Sequence, residues 1–122
     1  MRMMIVDDSS IIRNRIAQLA NHPDLPRIDI VGMARHGGEA VSLFAQHRPD
    51  IVTMDLTMPE MDGIDCIKRL VLMSDNVRIL VVSALGDKRT ALQALMCGAH
   101  GYLHKPFTNS ELVGSLRELM KD

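Results

Sequence analysis

The sequence predicts an α/β domain of five βα units whose strands form one parallel, doubly wound sheet. Three observations predict it. Short apolar runs of strand length alternate with stretches of helical period along the whole chain. The run Ile79 to Val82 is continuously apolar rather than alternating, which suits a strand covered on both faces. No linker, repeat or low-complexity segment interrupts the pattern, so residues 1–122 are expected to be one domain.

Each element has its own justification. Met3-Met4-Ile5-Val6 is the first strand, and Ile12, Ile16, Leu19 and Ala20 then share a helical face. Ile28 to Ala34 is a second strand, interrupted by Asp29. Ala40, Val41 and Phe44 mark a helix entered from Gly37-Gly38 and closed before Pro49. Ile51 to Met54 is the third strand, and Ile64, Ile67, Leu70 and Val71 form the next helical stripe. After the fourth strand, Leu92, Leu95 and Met96 supply a helix that Gly98 ends as a left-handed cap. A short fifth strand around Gly101 to Leu103 leads into Lys105-Pro106. The last helix opens on the capping-box pattern Thr108-Asn109-Ser110-Glu111 and buries Leu112, Val113, Leu116 and Leu119.

Composition excludes several classes of function. With 47% hydrophobic and 24% charged residues the chain has the profile of a globular protein, not of a disordered one. Its formal net charge of −1, with Arg and Lys scattered, gives no bulk attraction to nucleic acid or anionic lipid. No apolar run approaches the ~20 residues of a membrane span. The first strand begins almost at Met1, which leaves no place for a cleavable signal peptide, so a cytoplasmic location is expected. Cys66 and Cys97 lack any paired spacing and are expected to be free thiols.

The informative feature is what stands at the strand ends. Strand one ends in Asp7-Asp8, strand three in Asp55 and strand four in Ser83, while strand five runs into Lys105. In an open parallel sheet these ends share one rim, where ligands bind. Each residue alone has a bland explanation. An acidic pair can open a loop or cap a helix, as Asp8 or Ser9 could, and a lone lysine is usually a solvated charge. Together they form a constellation with a chemistry. Three carboxylates in close quarters repel, and a hard divalent cation with oxygen ligands resolves the conflict. Mg²⁺ suits a site of few carboxylates and a phosphoryl oxygen. Asp55 would then be the nucleophile, with Lys105 and Ser83 supplying positive charge and a hydroxyl donor to the phosphoryl oxygens.

The segments "VDDS" at Val6–Ser9, "MDLTMPEMDG" at Met54–Gly63, "VVSA" at Val81–Ala84 and "GYLHKPF" at Gly101–Phe107 together resemble the receiver domain of bacterial two-component response regulators. The resemblance is collinear over the whole chain. It implies a flavodoxin-like sheet of order 2-1-3-4-5. Asp55 matches the phosphoacceptor, Asp8 the direct ligand of Mg²⁺ (or Mn²⁺), Asp7 its partner, and Thr57 the residue whose backbone carbonyl completes the metal shell. Ser83 matches the switch hydroxyl, Tyr102 the switch aromatic, Lys105 the family's lysine, and Pro106 a proline that typically follows a cis peptide. The family's switch moves the hydroxyl toward the phosphoryl group while the aromatic turns inward.

The resemblance also implies a histidine kinase or phosphotransfer protein as donor and a protein target or fused output domain as receiver of the signal. The output face would comprise the fourth helix, fifth strand and fifth helix, with Lys88, Gln93, His104 and Arg117 as contributors. The resemblance leaves monomer and phosphorylation-dependent dimer open. The wording "DLTMPEMDG" and "SALGD" is more similar to chemotaxis-type single-domain regulators, and to the receiver portions of related methylesterases, than to transcription-factor receivers. Leu85, two beyond Ser83, stands where the family positions groups around the attacking water and cannot orient one, so slow self-dephosphorylation is expected.

Three other readings bear comparison. A haloacid dehalogenase-type phosphatase also uses an Asp nucleophile, but needs a second Asp where Thr57 stands. A nucleotide- or flavin-binding domain would need a glycine-rich phosphate loop, and Asp7-Asp8 would repel a phosphate. A phosphorylation-independent binding module would have no use for a complete set of site residues.

Overall fold

Five strands and five helices alternate along residues 1–122 of the computed structural model. In order they are β1 (Arg2–Val6), α1 (Ser10–Leu19), β2 (Asp29–Ala34), α2 (Gly37–His47), β3 (Ile51–Met54), α3 (Gly63–Met73), β4 (Arg78–Ser83), α4 (Lys88–Met96), β5 (Gly101–His104) and α5 (Asn109–Leu119). The sheet is wholly parallel in the order β2-β1-β3-β4-β5. The chain winds one way from β1 to β2 and the other way from β3 onward. The reversal falls between the adjacent strands β1 and β3, which makes their carboxyl ends the crevice of the fold.

Helices cover both faces. One core cluster, with Ile5, Ile16, Leu80, Leu112 and Leu116 among its members, lies under α1 and α5. The other, with Met4, Phe44, Met54, Ile67 and Val81, lies under α2, α3 and α4. β3 and β4 are buried between them apart from Arg78, in keeping with their largely apolar sequence. β2 is an edge strand, and Asp29 at its start is exposed, which is why a charge is tolerated there. Cys66 is a core residue, and burial pushes its thiol up to about 12, so it has no thiolate chemistry at neutral pH.

The helices begin where side chains satisfy their free amides. Ser9, not Asp8, caps α1 by accepting from the Ile12 amide. His36, Asp62, Asp87 and Thr108 cap α2, α3, α4 and α5 in the same manner. Such a cap is worth about 1 kcal/mol. Thr108 and Glu111 form the full capping box expected from sequence. Gly98, just past α4, has φ of +121°, a backbone conformation that only glycine adopts readily.

The helix marked by Leu92, Leu95 and Met96 is present as α4, but its orientation and the placement of Arg117 differ from what the sequence pattern suggests. Leu92, Leu95 and Met96 of α4 are exposed, and the residue seated on the sheet is Ala94. The small alanine lets the helix lie close, and that orientation turns the larger side chains outward. Arg117 of α5 reaches Asp24 in the α1–β2 connection at 3.6 Å, so it faces α1 and not β5.

At the end of the sheet opposite the crevice, arginines close helix C-termini. Arg2 donates to the His47 carbonyl at 2.6 Å, Arg48 to Met73 at 2.6 Å, and Arg78 to Leu119 at 3.2 Å and Lys121 at 3.0 Å. The carbonyls of His47, Met73 and Leu119 have no partner within their own helix, and that of Lys121 lies just past the end of α5.

Candidate functional site

The residues that carry the site are held by the last rungs of the sheet. The Asp7 amide donates to Ala34 of β2 at 3.0 Å, the Asp55 amide to Val6 of β1 at 2.9 Å, and the Lys105 amide to Ser83 of β4 at 2.8 Å. Each backbone is thus fixed at the point where its side chain leaves the core. The sequence expectation that these side chains converge is met. Asp7, Asp8 and Asp55 each offer a carboxylate oxygen, and the three oxygens lie within 4.8 Å of one another. Lys105 Nζ sits 2.7 Å from Asp7 Oδ2 and 3.7 Å from Asp55 Oδ1.

Burial divides the carboxylates. Asp7 and Asp55 are 1% and 4% exposed, whereas Asp8 is open to solvent. Asp7 has strong compensation: its Oδ1 accepts the Ser9 amide at 2.9 Å and its Oδ2 takes the lysine. Its carbonyl also accepts from Arg13 at 2.7 Å. Asp55 has less. It receives the Thr57 amide at 3.4 Å and the more distant side of the ammonium. Burial, and then the negative charge of Asp7, push its carboxyl up to about 6 against the opposing pull of Lys105 and the Thr57 amide. The result is a buried carboxylate held at the cost of its solvation, with one oxygen not engaged by any donor of the protein.

The other expected residues take definite places. Ser83 is fully buried, and its Oγ accepts the Leu85 amide at 3.1 Å, which leaves its own proton free to donate. Tyr102 is half-buried against the cluster under α2, α3 and α4, and its hydroxyl donates to the Leu85 carbonyl. Thr57 is exposed in the loop after β3, and no protein donor reaches its carbonyl. The Lys105–Pro106 peptide is cis, as the resemblance implies. Lys88, Gln93 and His104 are exposed on α4 and β5.

Two residues of the site escape sequence reasoning. Gly63, at the start of α3, approaches so closely that a Cβ there would lie 2.3 Å from the Asp55 carbonyl oxygen. Its amide bonds the Leu56 carbonyl at 3.0 Å and closes the loop behind Asp55. The Asp-Gly pair in the sequence was its only signal. Arg13 had none, since an arginine on an amphipathic helix is ordinarily solvated.

A crevice at a topological switch point, lined by three carboxylates, an ammonium and a buried hydroxyl, defines a phosphoacceptor of the α/β class. The chain belongs to the family of response regulator receiver domains, whose pattern it matches over residues 3–117. It is similar to chemotaxis protein CheY of Thermotoga maritima, with 38% identity over 98% of each chain. It is also similar to a protein-glutamate methylesterase/protein-glutamine glutaminase of Nocardioides sp., with 38% identity over 99% of this chain and 33% of that protein. The CheY chain in a CheX-CheY-BeF3-Mg complex from Borrelia burgdorferi superposes with a TM-score of 0.92 at 30% identity, over 99% of this chain and 90% of that one. The protein is therefore a chemotaxis-type receiver domain, a two-component phosphoacceptor switch whose carboxylate cluster is a candidate divalent-cation site.

Proposed function

We propose that Asp55 is the residue that accepts the phosphoryl group, from a histidine kinase or phosphotransfer protein. The observation that carries this is the imbalance between two buried carboxylates sharing one ammonium, 2.7 Å from Asp7 and 3.7 Å from Asp55. Asp7 is committed to structure, whereas Asp55 keeps an oxygen available. That oxygen forms the new O–P bond as the bond to the donor's leaving group breaks, with the bonding pair leaving on the donor.

Asp8, Asp55 and the Thr57 carbonyl would hold Mg²⁺ or Mn²⁺ directly, and Asp7, whose oxygens are engaged by the protein, would hold it through water. These are hard oxygen donors, and the uncompensated charge on Asp55 fits a cation site. When bound, the cation neutralises charge on the phosphoryl oxygens. Lys105 contributes a second positive charge at the same place, and the free proton of Ser83 is available to a phosphoryl oxygen. The acyl phosphate adds nearly two negative charges at the rim. Ser83 and Tyr102 answer that charge, and the signal leaves through α4, β5 and α5.

The chain catalyses only its own phosphorylation and dephosphorylation. Residues 1–122 act as one receiver unit in the cytoplasm, as a monomer or a phosphorylation-dependent dimer, with no contact to nucleic acid or membrane. Its target is a protein or a fused output domain, readings supported by the CheX-CheY complex from Borrelia, in which a receiver relative is bound to another protein, and by the methylesterase relative.

The test is to mix the protein with Mg²⁺ and a small acyl phosphate and record intact mass beside Asp55→Ala. The expected result is a phosphoryl-sized gain in the wild type only, abolished by a chelator. No gain in folded, metal-supplied protein would favour a phosphorylation-independent binding module.

A further inference from the structure

Three consecutive carbonyls leave the end of β4, and each meets a donor from β5 or its immediate extension. Ser83 accepts the Lys105 amide at 2.8 Å, Ala84 faces His104 Nε2 at 3.1 Å, and Leu85 accepts the Tyr102 hydroxyl. The first contact is the final rung of the sheet and the third belongs to the proposed switch pair. The second is explained by neither.

Packing does not put His104 there, because the residue is exposed. A carbonyl can only accept, so the ring must present Nε2–H to it. The chain also leaves room for the ring: a Cβ at Gly86 would lie 2.8 Å from His104 Nε2. The Ala84 carbonyl and the Leu85 amide belong to one peptide group, which is planar and rigid. His104 therefore holds one side of that plane while Ser83 Oγ, at 3.1 Å from the Leu85 amide, is bonded to the other.

We propose that His104 is a positioning residue for phosphoryl acceptance, fixing through the Ala84–Leu85 peptide the direction in which the Ser83 hydroxyl points. The inference rests on the reading of Asp55 and Ser83 as the phosphoryl site. His104 touches no reacting group. It restrains the plane that Ser83 leans on, and it does so beside the anchor that Tyr102 supplies to the next carbonyl.

The experiment compares His104→Leu, which cannot donate, with His104→Gln, whose amide nitrogen can stand where Nε2 does. Loss of one net hydrogen bond shifts such a two-state arrangement by about five-fold. On the unphosphorylated protein, exchange of the Leu85 amide should quicken by about that factor in His104→Leu and stay near wild type in His104→Gln. With Mg²⁺ and a small acyl phosphate, the rate of phosphoryl gain should fall by a similar factor in His104→Leu and recover in His104→Gln. In a Ser83→Ala background His104→Leu should cost nothing further. Gly86→Ala, which displaces the ring without changing it, should behave as His104→Leu. The proposal is overturned if the Leu85 amide exchanges alike in all variants, if glutamine fails to rescue, or if the loss persists without Ser83. A wild type that takes no phosphoryl group would sink the Asp55 reading instead, and the exchange measurement would still decide the role of His104.

Discussion

Replacing Asp55 with asparagine removes the charge that the protein has difficulty keeping, without changing the shape of the side chain. The carboxyl moves from an ordinary 3.8 up to about 6 on folding. At about 1.4 kcal/mol per pKa unit, that displacement corresponds to about 3 kcal/mol between the two protonation states. The sign follows from linkage. The folded pKa is raised, so the folded state binds the proton more tightly than the unfolded chain. The favourable contribution is complete below the unfolded value and is lost as pH rises through about 6. At pH 7.5 the metal-free protein bears the whole penalty.

The pull of Lys105, 3.7 Å away, is already contained in that displacement, but burying an amide in place of the protonated carboxyl costs about 1 kcal/mol of its own. The expected net gain for Asp55→Asn is therefore about 2 kcal/mol, or about 6–10 °C in Tm for a domain of this size. The assay is thermal or urea unfolding in chelator at pH 7.5, 6 and 4.5. The gain should be largest at pH 7.5 and shrink toward pH 4.5, where the wild-type carboxyl is already protonated. Adding Mg²⁺ at pH 7.5 should raise the wild type more than the variant, because a ligand stabilises the state that binds it. A variant that melts at or below the wild type at pH 7.5, or a gain indifferent to pH, would refute the view of Asp55 as a strained carboxylate.

Thr53 Oγ1 is fully enclosed and has no hydrogen-bond partner, so Thr53→Val should stabilise the protein by about 1 kcal/mol in urea unfolding. Gly63→Ala would place a methyl group 2.3 Å from the Asp55 carbonyl oxygen. It should cost about 2–3 kcal/mol and slow phosphoryl gain, read by unfolding and by intact mass. Leu85 is 41% exposed with an apolar side chain beside the rim, so the acyl phosphate should hydrolyse slowly. Leu85→Glu should shorten its lifetime as followed by the decay of the mass gain, and an unchanged decay would count against a water-positioning role there.

Most of the site was legible because a charged residue at the end of an apolar run is a local signal. Asp7, Asp55 and Lys105 needed no tertiary information to be noticed, only the rule that parallel strands end at one rim. Their division of labour was not legible. The Asp7–Lys105 pair joins residues 98 positions apart, and it decides which carboxylate is left short of partners. The helical period likewise located α4, but a period names a stripe and not what the stripe touches. Ala94 took the sheet, and Leu92, Leu95 and Met96 were left outside. Thr53 reads as a good strand residue, since β-branching says nothing about whether its hydroxyl finds an acceptor.

The arginines beneath the sheet bear on how the molecule survives its own modification. Every helix runs against the strands, so the positive poles of all five face the crevice and the negative poles gather at the far end. Arg2, Arg48 and Arg78 neutralise three of those negative poles through the carbonyls they cap. A group bringing almost two negative charges therefore arrives at the pole that welcomes it, while three of the five opposite poles are held by residues that have no reason to move. The switch can accept a large change of charge at one end because much of the opposing charge at the other is already met, and amide exchange should find a gradient of firmness running from that floor to the rim.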